Sequence, residues 1–106
     1  MTKAEINPGN CRHITTVEAR MDGDLCGLTI TSECPAIQRL AQELKPVNPY
    51  KEISFRRAMP EILQKGAQYC THAACPVPVG IIKAVEIEAK LALPTDVTIK
   101  LTKSEE

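Results

Sequence analysis

Five cysteines and two histidines are the reactive side chains of this chain. Cys70, His72 and Cys75 lie close together, and Cys11 with His13 repeats the Cys-x-His spacing of Cys70 with His72. Thiolate and imidazole are zinc ligands, and four thiolates hold an iron–sulfur cluster. Cys11, Cys34, Cys70 and Cys75, with His13 or His72 as substitutes, therefore form a candidate metal set. There is no Cys-x2-Cys pair, so this set depends on the fold bringing distant residues together. An odd number of cysteines suits a disulfide framework poorly, and in a reducing compartment such a density points to metal, redox or sulfur chemistry. The plain alternative for any one Cys is a small buried hydrophobe, and Cys26 is read that way. For each His it is an ordinary loop or surface residue.

The elements that must position these groups begin with a hairpin. Two strand-like stretches, Ile14 to Met21 and Leu25 to Ser32, flank Asp22-Gly23, a dipeptide favoured in type I′ turns because both positions need positive φ. That turn pairs Ala19 with Cys26, Val17 with Leu28 and Thr15 with Ile30 on one face. Ile14, Thr16, Glu18 and Arg20 take the other face. Extended past Ser32, the same register sets Cys11 opposite Cys34, and His13 opposite Ser32. Direct cross-strand partners have Cα atoms roughly 4.5 to 5.5 Å apart, a separation that suits either a shared metal or a disulfide. A reducing compartment weighs against the disulfide.

Pro35 to Leu44 carries Ile37, Leu40, Ala41 and Leu44 at helical spacing, with Pro35 at the first helical position and Cys34 at the cap. Pro46 and Pro49 end that helix, and Glu52 to Phe55 reads as a short edge strand. A second helix runs from Pro60 to about Gln68, its end weakened by Gly66. A third, mostly apolar helix runs from Pro76 or Pro78 to Leu93 and is stopped by Pro94. Asp96 to Leu101 alternates Val97, Ile99 and Leu101 against polar residues, the period of a final strand. The order β-β-α-(β)-α-α-β predicts an α+β sandwich of one domain over residues 1–106, a small sheet with about three helices on one face. Thr102 to Glu106 reads as a frayed tail.

Cys34-Pro35 and Cys75-Pro76 each place a cysteine at the start of a helix, where the dipole and unpaired N–H groups favour a thiolate. Cys75-Pro76-Val77-Pro78, followed by a helix and then a strand, resembles the Cys-Pro-x-Pro motif of the TusA-like sulfur carriers. The resemblance implies that Cys75 is the nucleophile that carries a persulfide between sulfur donor and acceptor proteins. It covers only the last quarter of the chain. In that family a strand leads directly into the motif, whereas here two strands and two helices precede it. One cysteine suffices there, so Cys11, Cys34 and Cys70 stand outside the likeness. Through Cys70-x-His72-x-Ala74-Cys75-Pro76-Val77-Pro78 the chain as a whole resembles a small cysteine-rich family of anaerobic prokaryotes with no assigned activity.

The composition narrows the function classes. The chain has 106 residues, 43% hydrophobic and 25% charged, with 13 basic and 13 acidic side chains, two Tyr, one Phe and no Trp. Zero net charge and so few stacking rings argue against a nucleic-acid partner. No apolar run approaches the roughly 20 residues that span a bilayer, and the start of the chain is polar, so a cytoplasmic location and no membrane contact are expected. There is no Gly-rich phosphate loop, Ser nucleophile elbow or HExxH sequence. The carboxylates read as solvated surface, with Glu33 and Glu86 singled out by their nearness to Cys34 and Lys83. Three functions stay open. The first is a thiol-based protein that binds zinc or an iron–sulfur cluster and exchanges it with partner proteins. The second is a persulfide carrier on Cys75, and the third is a structural or interaction domain with buried thiols.

Overall fold

A two-residue hairpin turn needs positive φ, and Gly23 supplies it at 63°. In the computed structural model, which describes residues 1–105, β2 (Thr15–Asp22) and β3 (Leu25–Ser32) meet across Gly23-Asp24. Asp24 is not among the positive-φ residues, so the turn has the type II′ pattern of glycine first, in place of the expected type I′ turn at Asp22-Gly23. The register slides by two residues as a result. Ala19 pairs with Leu28, Val17 with Ile30 and Thr15 with Ser32, while Cys26 lies opposite Met21 instead of Ala19. A slide of two leaves each side chain on its own face, so Val17, Ala19 and Cys26 still point into the core. It does change the rank beyond Ser32. Continued past the Thr15–Ser32 pair, the ladder would set His13, not Cys11, across from Cys34.

β1 (Thr2–Ile6) adds antiparallel to β2, giving the sheet order β1-β2-β3. This strand carries little signal in the sequence, because its inward side offers only Ala4 and Ile6 as apolar residues. Four helices, α1 (Pro35–Glu43), α2 (Pro49–Glu52), α3 (Glu61–Tyr69) and α4 (Val77–Glu88), complete a single α+β domain. α4 packs on β1 and β2, and α1 packs on β3. The core between sheet and helices is built on Val17, Leu40, Ile62, Ile81 and Val85, all fully buried.

Two expected strands are absent. Glu52 belongs to α2, started by Asn48, whose Oδ1 accepts the Tyr50 N–H at 3.0 Å. Asp96 to Leu101 has no strand partner, and α4 stops at Glu88, short of the expected Leu93. The helix ends there because Lys90 turns left-handed (φ 62°), with its N–H on the Ile87 carbonyl at 3.1 Å and that of Leu91 on the Glu86 carbonyl at 2.9 Å. The segment 102–105 carries no helix or strand; Glu106, the last residue of the expected tail, lies outside the described residues. No helix among the described residues is long and apolar enough to cross a membrane.

Two glycines set how closely α4 seats. A Cβ on Gly80 would run into the Ile6 side chain of β1, and one on Gly66 would stand 2.7 Å from Cγ of Pro78, so the Pro78 ring of α4 packs directly on the α3 backbone. At the other end of α4, Glu88 accepts from the Thr2 hydroxyl at 2.8 Å and the Met21 N–H at 3.2 Å. Those bonds, the Thr2 hydroxyl first, hold its carboxyl below the usual carboxylate range. A depressed carboxyl stabilises the fold above its unfolded pKa, and that contribution fades as pH falls through the lower folded value.

Glu52 is 3% exposed, and its carboxylate accepts the N–H groups of Glu61 (3.1 Å) and Ile62 (2.8 Å). Pro60 has no side-chain cap to offer, so α2 caps α3 from a distance. Glu52→Ala is expected to lower stability by about 1–2 kcal/mol, read as a drop in Tm by circular dichroism, with Glu52→Gln recovering part of it. An unchanged Tm in Glu52→Ala would contradict the capping role.

Candidate functional site

Three of the five cysteines sit where helices begin or end. Cys34 is the N-cap of α1, Cys70 is the C-cap of α3, and Cys75 immediately precedes Pro76, the N-cap of α4. All three are half-buried free thiols packed against the core cluster.

Local bonding fixes each backbone. The Cys34 N–H donates to Ser32 Oγ at 3.1 Å, and the Cys34 carbonyl accepts the Gln38 N–H at 2.9 Å. The Gln38 side chain returns to the Ser32 carbonyl at 2.8 Å, and Ser32 Oγ also accepts the Thr15 hydroxyl at 3.0 Å. The Cys34 side chain makes no capping bond, which leaves its sulfur for other contacts. At the end of α3 the Cys70 N–H closes on the Gly66 carbonyl at 2.9 Å. The intervening loop turns back on itself through the Cys75 N–H and the His72 carbonyl at 3.2 Å. Pro76 and Pro78 fit the opening of α4, where a missing N–H leaves no hydrogen bond broken.

The outcome is an open cleft of about 420 Å³ between α3 and the first turn of α4, with Cys70, His72, Cys75, Gly66 and Pro78 among its walls. His72 is exposed at this cleft. Burial pushes the Cys70 thiol up to about 11, with the charge and hydrogen bonding of Cys75 next and the charge of Cys34 after them. Cys70 is thus a thiol that holds its proton beside a second sulfur. A pair of this kind can trap an electrophilic sulfur, close to a disulfide or chelate a soft metal.

The other sequence candidates lie elsewhere. Cys11 is exposed in a turn closed by the Arg12 N–H on the Gly9 carbonyl at 3.0 Å, with Arg12 itself left-handed at φ 61°. It lines neither the cleft nor the core, whereas Cys34, although outside the cleft lining, packs on the core and its charge reaches Cys70. His13 is half-buried and follows the same turn. Cys26 is fully buried and bridges to Val47 through both backbone groups (2.7 and 3.0 Å), as expected for a core cysteine. Burial first and the charge of Glu88 second push its thiol up. Among the described residues no group of three or more His, Cys, Asp or Glu side chains is arranged to hold a metal ion.

The helix expected from Pro76 or Pro78 starts at Val77 with Pro76 at its cap, which leaves Cys75 one residue ahead of the cap. Ser32 escaped the sequence reading as a positioning residue, although a Ser two residues before a Cys-Pro helix start is a signal: its hydroxyl can accept the N–H two positions on. Glu33 and Glu86, singled out from the sequence, carry none of these bonds; Glu52 and Glu88 do.

A family model described as Family of unknown function (DUF6951) matches residues 2–101. No curated protein and no solved structure matches the chain.

A thiol raised to about 11 is almost wholly protonated near neutrality, so alkylation of Cys70 is expected to speed up about tenfold per pH unit between pH 8 and 10. Cys75→Ala removes two of the raising influences, the charge and the hydrogen bond of Cys75, and should bring that acceleration to lower pH. Residue-resolved mass spectrometry checks both. A flat profile for Cys70 across this range would contradict the assignment.

Proposed function

The chain belongs to this family of unknown function, and we propose that it acts as a thiol-based sulfur carrier, with Cys75 taking a sulfane sulfur as a persulfide and Cys70 serving as its partner thiol. The observation that carries the reading is the pairing of Cys70 and Cys75 at an open cleft, with Cys70 kept protonated. The Cys75-Pro76-Val77-Pro78 resemblance to TusA-like carriers points the same way.

The chemistry balances with thiols alone. Cys75 as thiolate attacks the outer sulfur of a persulfide or polysulfide donor; the donor S–S bond breaks and the donor leaves as its own thiolate or shorter polysulfide. The persulfide on Cys75 then has two exits. An acceptor thiolate can take the outer sulfur and release the Cys75 thiolate. In the absence of an acceptor, Cys70 attacks the inner sulfur, hydrosulfide departs with the Cys70 proton as hydrogen sulfide, and a Cys70–Cys75 disulfide remains for an external dithiol to reduce. A reducing compartment such as the cytoplasm suits the cycle, and the partners it implies are sulfur donor and acceptor proteins.

A second reading is favoured by the third thiol. Cys34, Cys70 and Cys75, completed by His13, His72 or Cys11, would supply four ligands for zinc, and four cysteines would serve an iron–sulfur cluster. Those side chains would have to close inward to reach ligand distances.

One preparation made without oxygen separates the readings. After brief exposure to inorganic polysulfide, mass spectrometry is expected to find one added sulfur on Cys75, lost in Cys75→Ser and longer-lived in Cys70→Ser. Loading that ignores Cys75→Ser would overturn the carrier. Zinc or iron in the purified protein, with Cys34, Cys70 and Cys75 alkylated together only after chelation, would replace it with the metal site. Neither sulfur nor metal would leave an interaction domain with buried thiols.

A further inference from the structure

Asp96 to Leu101 has the alternation of a strand and yet lies in no sheet of its own chain. Val97, Ile99 and Leu101 are 62%, 74% and 89% exposed. A single exposed apolar residue is ordinary, but three at strand period, with Thr98 and Lys100 between them, make one apolar side without a partner. The chain after α4 is steered outward. The left-handed cap at Lys90 fixes the exit from the helix, and Pro94 biases the residue before it toward extended backbone. The longest dimension of the molecule is 52 Å against 28 and 26 Å for the others.

The same chain also carries an unfilled sheet edge. β1 has no strand on its outer side, while the outer side of β3 is taken in part by the Cys26–Val47 bridge. A row of unpaired backbone groups accepts a further strand. Edge and segment complement each other in charge and in apolar pattern. Registers that set Lys100 beside exposed Glu5 bring Ile99 and Leu101 beside Ala4 and Ile6, in either strand direction. The apolar side then continues the helix-covered face of the sheet. Lys3 falls beside Thr98 or Thr102, so no like charges stand opposite each other.

We infer that Asp96 to Leu101 of one copy adds as a fourth strand to the outer edge of β1 in a second copy. The exchange is reciprocal, so it closes as a two-fold dimer and leaves no apolar strand exposed. It is independent of the sulfur chemistry, since neither the edge nor the segment includes a cysteine.

Sedimentation velocity of the full chain and of the double variant Ile99→Asp, Leu101→Asp tests this. The full chain should be dimeric at about 100 μM and the variant monomeric, with association weakened more than about tenfold. Both should give the same far-UV circular dichroism, because the altered residues lie outside the core, and the full chain should melt above the variant by a margin that shrinks on dilution. Hydrogen exchange should be slower at Thr2 to Ile6 in the dimer than in the variant. A monomeric full chain, a dimer indifferent to the two aspartates, or protection gained on β3 in place of β1 would each overturn the inference.

Discussion

The structure depends on how closely α4 seats on the sheet. Gly80 lets it come down onto Ile6 at one end, and Gly66 lets Pro78 press against α3. Glu88 ties its other end to Thr2 of β1 and to the backbone of Met21 in β2. With both ends held, the residues just before the helix have little freedom. Cys75 and Cys70 then face each other as a consequence of helix packing. A larger side chain at Gly80 would lift α4 from the sheet and open the cleft wall at the same time.

This arrangement explains why thiols gather at element ends. A helix terminus buries part of its first or last side chain against the core while leaving the rest at the surface. Cys34, Cys70 and Cys75 all sit in that half-buried position. Full burial, as for Cys26, removes access, and full exposure, as for Cys11, removes the neighbours that tune a thiol. Burial and the charges of both companions raise the Cys70 thiol, so the three thiols are close enough to act on one another.

Much of this was legible in the residues. Helical spacing and Pro35 located α1 within a residue of its observed end, with Cys34 at its cap, and the face assignment of the hairpin survived because a two-residue slide preserves parity. The turn itself was not legible, since Asp22-Gly23 and Gly23-Asp24 are both acceptable hairpin dipeptides and the sequence offers one Gly to both. That ambiguity is what moved Cys11 out of register with Cys34. β1 was hidden by its weak apolar side, and Asp96 to Leu101 read as a strand because periodicity reports a side-chain pattern and says nothing of whether a neighbouring strand is there to pair with. The Cys70–Cys75 grouping was visible as local spacing. The addition of Cys34 required the tertiary packing of α1 against α3.

In the proposed cycle Cys70 and Cys75 work as one dithiol. The most direct measurement follows polysulfide-loaded protein with no acceptor present, recording hydrogen sulfide release together with the disulfides formed. One hydrogen sulfide per loaded chain, with a Cys70–Cys75 disulfide as the sole new bond, is expected. Release that leaves Cys70 reduced, or a disulfide joining Cys75 to Cys11 or Cys34 instead, would contradict it.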